Sequence, residues 1–526
     1  MDRSVPSSAR RAALILLALS APPAWAGAAL HLAPGVDAGK FLVTPDGSHV
    51  VFEHYSTDET ALYSVRTDAV GSYLQISPMA SSAFLFNSRI SPDSSRIVFD
   101  ANEFPGGGWQ VSTYSSRIDG GIGPILLNTS HVYDDDPSQY NIAISPDSQR
   151  AILRADQGDY SFDLLGGPID GSATPTMLNP GPHSGNFGTG VGHDWAAAGN
   201  RVVFLIQNGA SRTLFSREFD ASAPPVELSP SGQPVGIYAV SGNNSTIVMA
   251  TRPGPAVAYN LYSISVGGAN LTPLVTSDDT HTHLFQGLSL SSDGQHAIFM
   301  ENYQISTIRT DGLGTAVRLD PAVDSEQVRY DISPNSAKIA FLSRHGGDQS
   351  ELFVSPIDAS IPAKKLSLPL PPGGSISDVQ FTPDSRHIIY LGDQLNDGVD
   401  EIFSVLADGS APPVRLAPVG QFAITPDSAT LITGTNPGDG FTVQSLVAIP
   451  IDGGQPVELL HNPFLTGGIN QWRLTDDGSM IIFTADNGGI SEIFAVAIPE
   501  PAGMSVLVAC GWMLLAGMRR RRISLQ

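Results

Sequence analysis

A turn motif that recurs along the whole chain constrains the fold more than any other feature. The motif is Ser/Thr-Pro-Asp-Ser/Gly, followed after two residues by three or four apolar residues, as in Ser91-Pro92-Asp93-Ser94 before Ile97-Val98-Phe99. With degenerate copies included, ten copies begin at or near residues 44, 91, 145, 196, 241, 291, 333, 382, 425 and 475. Such a period indicates an array of similar small units rather than several unrelated domains.

The residues of each unit favour short strands. Proline presets φ for a type I turn and aspartate hydrogen-bonds the backbone beyond it, so Pro-Asp marks a hairpin tip. The apolar run after the turn, such as Val50-Val51-Phe52, suits a strand that is buried on both faces. A third strand such as Glu401-Ile402-Phe403 follows, then an Asp-Gly turn and a short fourth strand such as Val414-Arg415-Leu416. Each unit is therefore predicted to be a four-stranded meander.

Four-stranded units with a period of roughly 40–50 residues are typical of β-propeller blades. We predict an all-β chain in which residues 27–498 form a β-propeller of about ten blades. The last unit stops after Val496 without a fourth strand, whereas the chain begins with an unassigned strand, Leu30-His31-Leu32, which can complete it. This completion favours one large closed ring. Because ten blades exceed the common four to eight, two rings are the alternative.

The units resemble the WD40-like PD40 repeats of the TolB propeller, and also the propellers of prolyl-oligopeptidase-type enzymes. The resemblance rests on the Pro-Asp turns, which six of the ten copies keep, counting Pro334-Asn335. It implies the propeller fold and transfers no catalytic residues. A serine hydrolase would need Gly-x-Ser-x-Gly on an α/β domain, and the sequence has no such pentapeptide. Gly-x-x-x-x-Gly-Lys-Ser/Thr and His-Glu-x-x-His are also absent.

The N-terminus carries a secretory signal. Arg3, Arg10 and Arg11 precede a short apolar run over residues 12–21, and small residues stand at Ala24 and Ala26. This order predicts a signal peptide over residues 1–26, cleaved after Ala26 to leave Gly27 as the first residue. The alternative, a buried N-terminal helix, would keep those arginines.

The C-terminal segment, residues 499–526, predicts a membrane anchor. Pro499-Glu500-Pro501 precedes an uncharged run over residues 502–518, at the lower limit of a spanning helix, and then Arg519, Arg520, Arg521 and Arg522. Clustered arginines keep that end in the cytoplasm, so the body would lie outside it.

This order of Pro-Glu-Pro, apolar helix and arginines resembles the PEP-CTERM sorting signal of Gram-negative bacteria. The resemblance implies processing near Pro-Glu-Pro by a membrane-embedded exosortase. It also implies export to the cell envelope, cell surface or extracellular matrix, with transient or permanent anchoring by the helix. A plain anchor is the alternative.

Charge and cysteine usage exclude several functions. The chain has 28 basic and 51 acidic residues, which makes nucleic acid an improbable partner because phosphate binding needs clustered Lys and Arg. Removing both ends takes away seven basic and two acidic residues and leaves a body with a net charge of −28. The single cysteine, Cys510, lies in the apolar tail, so the body can form no disulfide and no Cys-ligated metal site.

Candidate ligand-binding residues are few. Asp278, His281 and His283 form the one dense cluster of metal-ligand types, although a polar inter-blade loop explains them as well. The acidic loop over residues 393–401 only partly matches a calcium loop. We therefore expect no cofactor beyond weak binding of divalent cations. Aromatic residues including Trp109, Trp195 and Trp472 could stack on sugars or fill gaps between blades.

Three functions follow as hypotheses. The leading one is an exported, non-enzymatic propeller that binds protein or polysaccharide at the cell surface. The second is a periplasmic scaffold akin to TolB, although TolB-like proteins carry an additional N-terminal α/β domain and the repeats here start near the predicted cleavage site. The third is a propeller enzyme that degrades polysaccharide, for which residues from several blades would have to converge.

Overall fold

The computed structural model describes residues 29–498 except 56–59, 79–81, 84–86, 104–109, 132–141, 157–161, 182–189, 209–210, 253–258, 277–284, 302–303, 320–328, 345–348, 419, 436–442 and 462–467. These described residues form strands and turns, with no helix. Consequently no helix in this part of the chain is long and apolar enough to cross a membrane.

The first five units are meanders that follow one another along the chain, and the first strand of blade 2 is split into two short pieces. Blade 1 contains β2 (Ala38–Val43), β3 (His49–Tyr55), β4 (Thr60–Arg66) and β5 (Tyr73–Gln75). Blade 2 contains β6 (Ser82–Ala83), β7 (Arg89–Ile90), β8 (Arg96–Glu103), β9 (Gln110–Arg117) and β10 (Ile125–His131). Blade 3 contains β11 (Ile142–Ile144), β12 (Arg150–Asp156), β13 (Phe162–Pro168) and β14 (Thr176–Met177). Blade 4 contains β15 (Gly190–Ala198), β16 (Arg201–Asn208), β17 (Ser211–Glu218) and β18 (Val226–Glu227). Blade 5 contains β19 (Val235–Val240), β20 (Thr246–Thr251), β21 (Asn260–Ser265) and β22 (Thr272–Val275).

The other five units keep this order, except that the last takes its outer strand from the start of the chain. Blade 6 contains β23 (Phe285–Leu290), β24 (His296–Glu301), β25 (Gln304–Arg309) and β26 (Val317–Arg318). Blade 7 contains β27 (Tyr330–Ile332), β28 (Lys338–Arg344), β29 (Ser350–Pro356) and β30 (Lys364–Lys365). Blade 8 contains β31 (Ile376–Phe381), β32 (His387–Gly392), β33 (Glu401–Leu406) and β34 (Val414–Pro418). Blade 9 contains β35 (Phe422–Ile424), β36 (Thr430–Thr435), β37 (Ser445–Pro450) and β38 (Val457–His461). Blade 10 contains β39 (Ile469–Leu474), β40 (Met480–Asn487), β41 (Ile490–Ala497) and β1 (Leu30–His31).

The second strand of each blade is buried on both faces, as its unbroken apolar run predicted. In β3, Val50 and Phe52 pack toward blade 10, whereas Val51 packs toward blade 2. In six blades an aromatic side chain of the second strand also lies beside one of the third, with ring centroids 5.3–6.0 Å apart. These pairs are Phe52–Tyr63, Phe99–Tyr114, Phe204–Phe215, Phe341–Phe353, Tyr390–Phe403 and Phe483–Phe494. The repeated aromatic residues of the third-strand motif therefore serve packing within the blade.

Among the described residues, ten hydrophobic clusters hold the blades together, one at each junction between neighbouring blades. The junction of blades 10 and 1 has the same character as the rest, because Phe41 and Phe52 pack there against Ile482 and Ile493. An open array or a pair of rings would leave at least one such junction unmade. The ten blades therefore form one closed β-propeller ring, and the favoured prediction is confirmed.

The ring closes through the two ends of the described chain. Strand β1 pairs antiparallel with β41, with Leu30 opposite Ala495 and His31 opposite Phe494. The buried carboxylate of Glu492 accepts hydrogen bonds from Gly35 N and Asn487 Nδ2 at 2.5 Å each, and His31 Nε2 lies 3.1 Å from its Oε2. The predicted role of the N-terminal strand is thus confirmed, and the closure is polar as well as hydrophobic.

Candidate functional site

The first strand of each blade lies nearest the centre of the ring. The turns that follow these strands bond directly from blade to blade: Asp46 N donates to Ser94 Oγ at 3.0 Å, and Asp384 N donates to Ser428 Oγ at 2.9 Å. At the opposite edge of the sheet, all three residues of β5 are exposed to solvent. The first strands therefore form the inner wall, and their exposed side chains are the ones that a ligand in the centre of the ring would meet.

The repeated aspartates of the Pro-Asp turns are occupied by the turns themselves. Asp46 Oδ1 accepts hydrogen bonds from Thr44 Oγ1 at 2.7 Å and from Ser48 N at 3.0 Å. Partial burial acts to raise the pKa of Asp46, but these hydrogen bonds outweigh it and lower the pKa to about 2. The prediction of a hairpin tip is confirmed, and these carboxylates hold the turn rather than a ligand.

The fourth residue of the turn connects blades, which the sequence reasoning missed. In blade 8 this residue, Ser385, has a positive φ of 64°, a conformation that costs energy for any residue except glycine. Its hydroxyl accepts the hydrogen bond from Asn335 N of blade 7 at 3.1 Å, and this bond accounts for a serine in a position that suits glycine. Glycine takes the same position in blades 1, 6 and 10, at Gly47, Gly294 and Gly478. The alternation of Ser and Gly within the motif was the available signal.

A groove of 760 Å³ runs along the inner wall at blades 9 and 10. Its lining comes mainly from β39 and from the start of blade 9, and includes Gln421, Ala423, Asn470, Gln471, Trp472, Arg473 and Asp476. The groove follows β39 from Asn470 to Leu474 and continues to Asp476 in the turn, which at about 3.3 Å per residue corresponds to roughly 20 Å. We call it the inner groove.

Most of the exposed lining of the inner groove is polar, and its exposed apolar residues are Pro383 and Pro426. Gln421, Asn470, Gln471 and Arg473 are exposed, and an amide side chain offers two hydrogen-bond donors and an acceptor. Asn470 Nδ2 already donates one hydrogen bond, to Ser491 Oγ at 3.2 Å. Gln421 Nε2 donates to Trp472 O at 3.2 Å, which links blades 9 and 10. Among the described residues, no carboxylate forms a salt bridge with Arg473. The groove can therefore bind hydroxyl groups through amides and an anionic group through a guanidinium.

Trp472 supports the groove from behind. Its side chain is 3% exposed and packs with Ile432, Leu446 and Phe483 in the core between blades 9 and 10. Of the two interpretations of the aromatic residues, gap filling is therefore correct for Trp472. Trp109 lies outside the described residues, and β15 contains Trp195 opposite Phe204.

Several predicted site residues lie outside the described residues. These are the signal-cleavage residues, the sorting motif with its arginine cluster, and the metal candidates Asp278, His281 and His283. Among the residues that the structure does describe, no three His, Cys, Asp or Glu side chains come together in a group that could hold a metal ion.

The acidic loop over residues 393–401 is described, and two of its four carboxylates, those of Asp393 and Glu401, bind protein groups. Asp393 accepts hydrogen bonds from Ser375 N through Oδ1 and from Gly398 N through Oδ2, the latter at 2.9 Å. Glu401 is buried and pairs with Arg415 on the neighbouring strand. Asp393 thus fixes the loop, and Glu401 joins the third strand of blade 8 to the fourth.

One buried carboxyl has a strongly altered acidity. Asp100 in β8 is 5% exposed, and its Oδ1 accepts a hydrogen bond from Thr113 Oγ1 at 2.7 Å. Burial raises the pKa of Asp100 to about 7, although the hydrogen bonds from Thr113 and Asn87 act to lower it. The second strand that carries Asp100 lies within the blade, away from the inner groove, so this group bears on stability.

No protein-family model matches this chain, and no curated protein matches it either. Solved structures are similar to it at low identity. An oligogalacturonate lyase in complex with manganese is 11% identical over 88% of this chain and 99% of that chain, with a TM-score of 0.36. A eukaryotic initiation factor is 13% identical over 78% and 96%, with a TM-score of 0.47. A putative TolB from Agrobacterium tumefaciens is 14% identical over 52% and 94%, with a TM-score of 0.27. Similarities this weak carry no functional inference, and the assignment as a β-propeller protein rests on the ten blades of this chain.

Proposed function

We propose that this chain is an exported, non-enzymatic β-propeller that binds an extended polysaccharide along the inner groove, at the cell surface or in the extracellular matrix. The observation that carries the proposal is the row of exposed amides on the inner wall, Gln421, Asn470 and Gln471.

The form and chemistry of the groove support a polymer of sugars. A groove of roughly 20 Å accommodates an extended chain better than a compact small molecule. Amide side chains donate and accept at once, as sugar hydroxyls do, so each amide can satisfy a hydroxyl in both roles. The rigid ring holds these side chains in place before binding, which reduces the ordering cost of association.

The signals predicted at the two ends of the chain support the proposed location at the cell surface or in the matrix. A signal peptide over residues 1–26 would export the body, and the segment over residues 499–526 would present it to an exosortase-like processing enzyme or anchor it in the membrane. A polysaccharide-binding ring suits a protein that is delivered to the surface or the matrix.

Binding of the purified protein to a panel of immobilised neutral and acidic polysaccharides tests the proposal. We expect at least one polysaccharide to bind, and the double change Asn470→Ala with Gln471→Ala to weaken that binding about tenfold or more, because two hydrogen-bonding side chains are lost. Gln295→Ala is the matched control, since Gln295 is exposed on a turn of blade 6 away from the groove. Absence of binding across the panel, or equal binding by the double variant, would refute the proposal. Capture of a specific protein partner instead would favour the TolB-like scaffold.

A further inference from the structure

We propose that the inner groove continues into a basic arc, formed by Arg473, Lys40 and Arg89, which selects an acidic polysaccharide by binding its carboxylate groups. This inference rests on the proposed function and names the class of its ligand. The three side chains are all exposed, and they belong to the first strands of blades 10, 1 and 2, which are consecutive in the closed ring.

The register of the turns places the three cations along one stretch of wall. Arg473 and Arg89 each stand two residues before the first residue of their turns, Thr475 and Ser91, so they lie at the same level of the inner wall. Lys40 stands four residues before Thr44, within the register irregularity of β2 between Ala38 and Phe41, and therefore lies further from the turns than the two arginines. Arg473 also lines the inner groove, so the basic arc and the inner groove share this residue.

None of the described carboxylates forms a salt bridge with the three side chains of the arc, and the carboxylate beside Lys40, that of Glu53, accepts a hydrogen bond from Lys40 N at 3.3 Å. Exposed arginines on the outer turns bind an aspartate two residues ahead, as Arg66 does with Asp68 at 2.6 Å. Among the described residues, Lys40, Arg89 and Arg473 form no salt bridge, and Arg89 Nη1 donates to the carbonyl of the adjacent Ser88 at 2.7 Å.

The described carboxylates of the inner strands are used elsewhere. Asp378 in blade 8 lies 3.5 Å from Arg329, and Asp331 in blade 7 accepts the hydrogen bond of Phe381 N at 2.6 Å. At the turn end of the groove, Asp476 disfavours an anionic group there. A ligand with carboxylates would thus be directed away from the turns and along the arc.

A cationic stretch is unusual in a body with a net charge of −28. The overall charge slows the approach of any polyanion, whereas three cations on a concave wall attract carboxylates at short range. The amides of the groove can pair with hydroxyls and the cations with carboxylates, so the combination fits a polymer that carries both groups, as an acidic polysaccharide does.

The test compares sodium alginate, a linear polymer of uronic acids, with the same material after reduction of its carboxyl groups. We expect the full-length purified protein to bind alginate at least tenfold more tightly than the reduced polymer at 50 mM salt. The preference should shrink strongly at 1 M salt, where the Debye length falls to about 3 Å. Arg473→Gln should weaken alginate binding about tenfold, and Lys40→Gln and Arg89→Gln should each weaken it severalfold, with little effect on the reduced polymer. Arg318→Gln, the same change of charge on the exposed outer strand β26, is the control and should change neither.

The outcomes separate this inference from the proposed function. The wild type could bind alginate and the reduced polymer equally, with both lost in the Asn470/Gln471 double variant. This result would support the polysaccharide-binding groove and overturn the basic arc. An equal effect of Arg318→Gln and Arg473→Gln would also overturn it, since net charge alone would then explain the result. If poly-L-glutamate competes for the site as effectively as free alginate does, the assignment of the ligand as a polysaccharide would be overturned. Failure of every polysaccharide to bind would refute both proposals.

Discussion

Asp100 allows the electrostatics of the blade interior to be tested by one conservative change, Asp100→Asn. The carboxyl is buried in β8 and its pKa is raised from 3.8 to about 7. In the unfolded chain the group titrates near 3.8, so between pH 4 and 7 the folded state keeps a proton that the unfolded state has lost. The stability of the wild type therefore falls as pH rises through this interval, and it levels off above about pH 7.

The magnitude follows from the shift. A rise of about three pKa units, at 1.36 kcal/mol per unit, corresponds to about 4 kcal/mol of unfolding free energy lost between pH 4 and 7. Asn does not titrate and can still accept the hydrogen bond from Thr113 Oγ1. We therefore expect the variant to be about as stable as the wild type at pH 4 and more stable by up to about 4 kcal/mol at pH 8.

Urea unfolding at pH 4, 5, 6, 7 and 8, followed by circular dichroism and tryptophan fluorescence, measures this difference. Asp311→Asn is the control that should show no comparable change between pH 4 and 8: the hydrogen bonds from Arg309 and Leu313 N lower the pKa of Asp311 to about 2, so its stabilising effect is lost only below about pH 4. A difference between Asp100→Asn and wild type that stays constant from pH 4 to 8, or that grows as pH falls, would refute the reasoning.

Three further predictions concern the closure, the turns and the tail. Glu492→Ala should cost about 2 kcal/mol in urea unfolding and raise hydrogen exchange of β1, because it removes the acceptor of Gly35 N and Asn487 Nδ2 and the partner of the His31 Nε2 atom. The exposed pair of Glu351 predicts at most about 1 kcal/mol for Glu351→Ala. Ser385→Ala should destabilise the protein by about 1–2 kcal/mol and by more than Ser385→Gly, since both lose the bond from Asn335 N but only Ala retains the strain of a positive φ. Replacement of residues 499–501 by three alanines should block processing and retain the protein in the inner membrane, as measured by cell fractionation and mass.

Each of these predictions has a clear contrary result. Equal losses for Glu492→Ala and Glu351→Ala would show that the closure is not specially dependent on Glu492. A greater loss for Ser385→Gly than for Ser385→Ala would contradict the account of the turn. Equal mass and equal membrane retention for wild type and the tail variant would leave a plain membrane anchor.

Local signals in the sequence determined the unit and its strands. Pro-Asp and Asp-Gly turns, and the apolar runs between them, depend on residues within a few positions of each other, so Thr44 to Phe52 could be read as turn and strand without the rest of the chain. The pairing of Leu30 and His31 with β41 was also predictable, because the last unit lacked a fourth strand and the N-terminal strand belonged to no other unit.

Only the tertiary structure determined which blades, and which of their residues, are neighbours around the ring. One ring rather than two follows from the hydrophobic junction of blades 10 and 1, which joins residues more than 400 positions apart. The inner groove and the basic arc likewise bring together first strands such as β39, β2 and β7, which the sequence places far from each other. No local preference reports such neighbours, because ring size and the order of blades are set by packing between whole sheets. The buried position of Asp100 has the same origin, since an alternating or continuous pattern predicts a strand but not which of its polar residues loses contact with water.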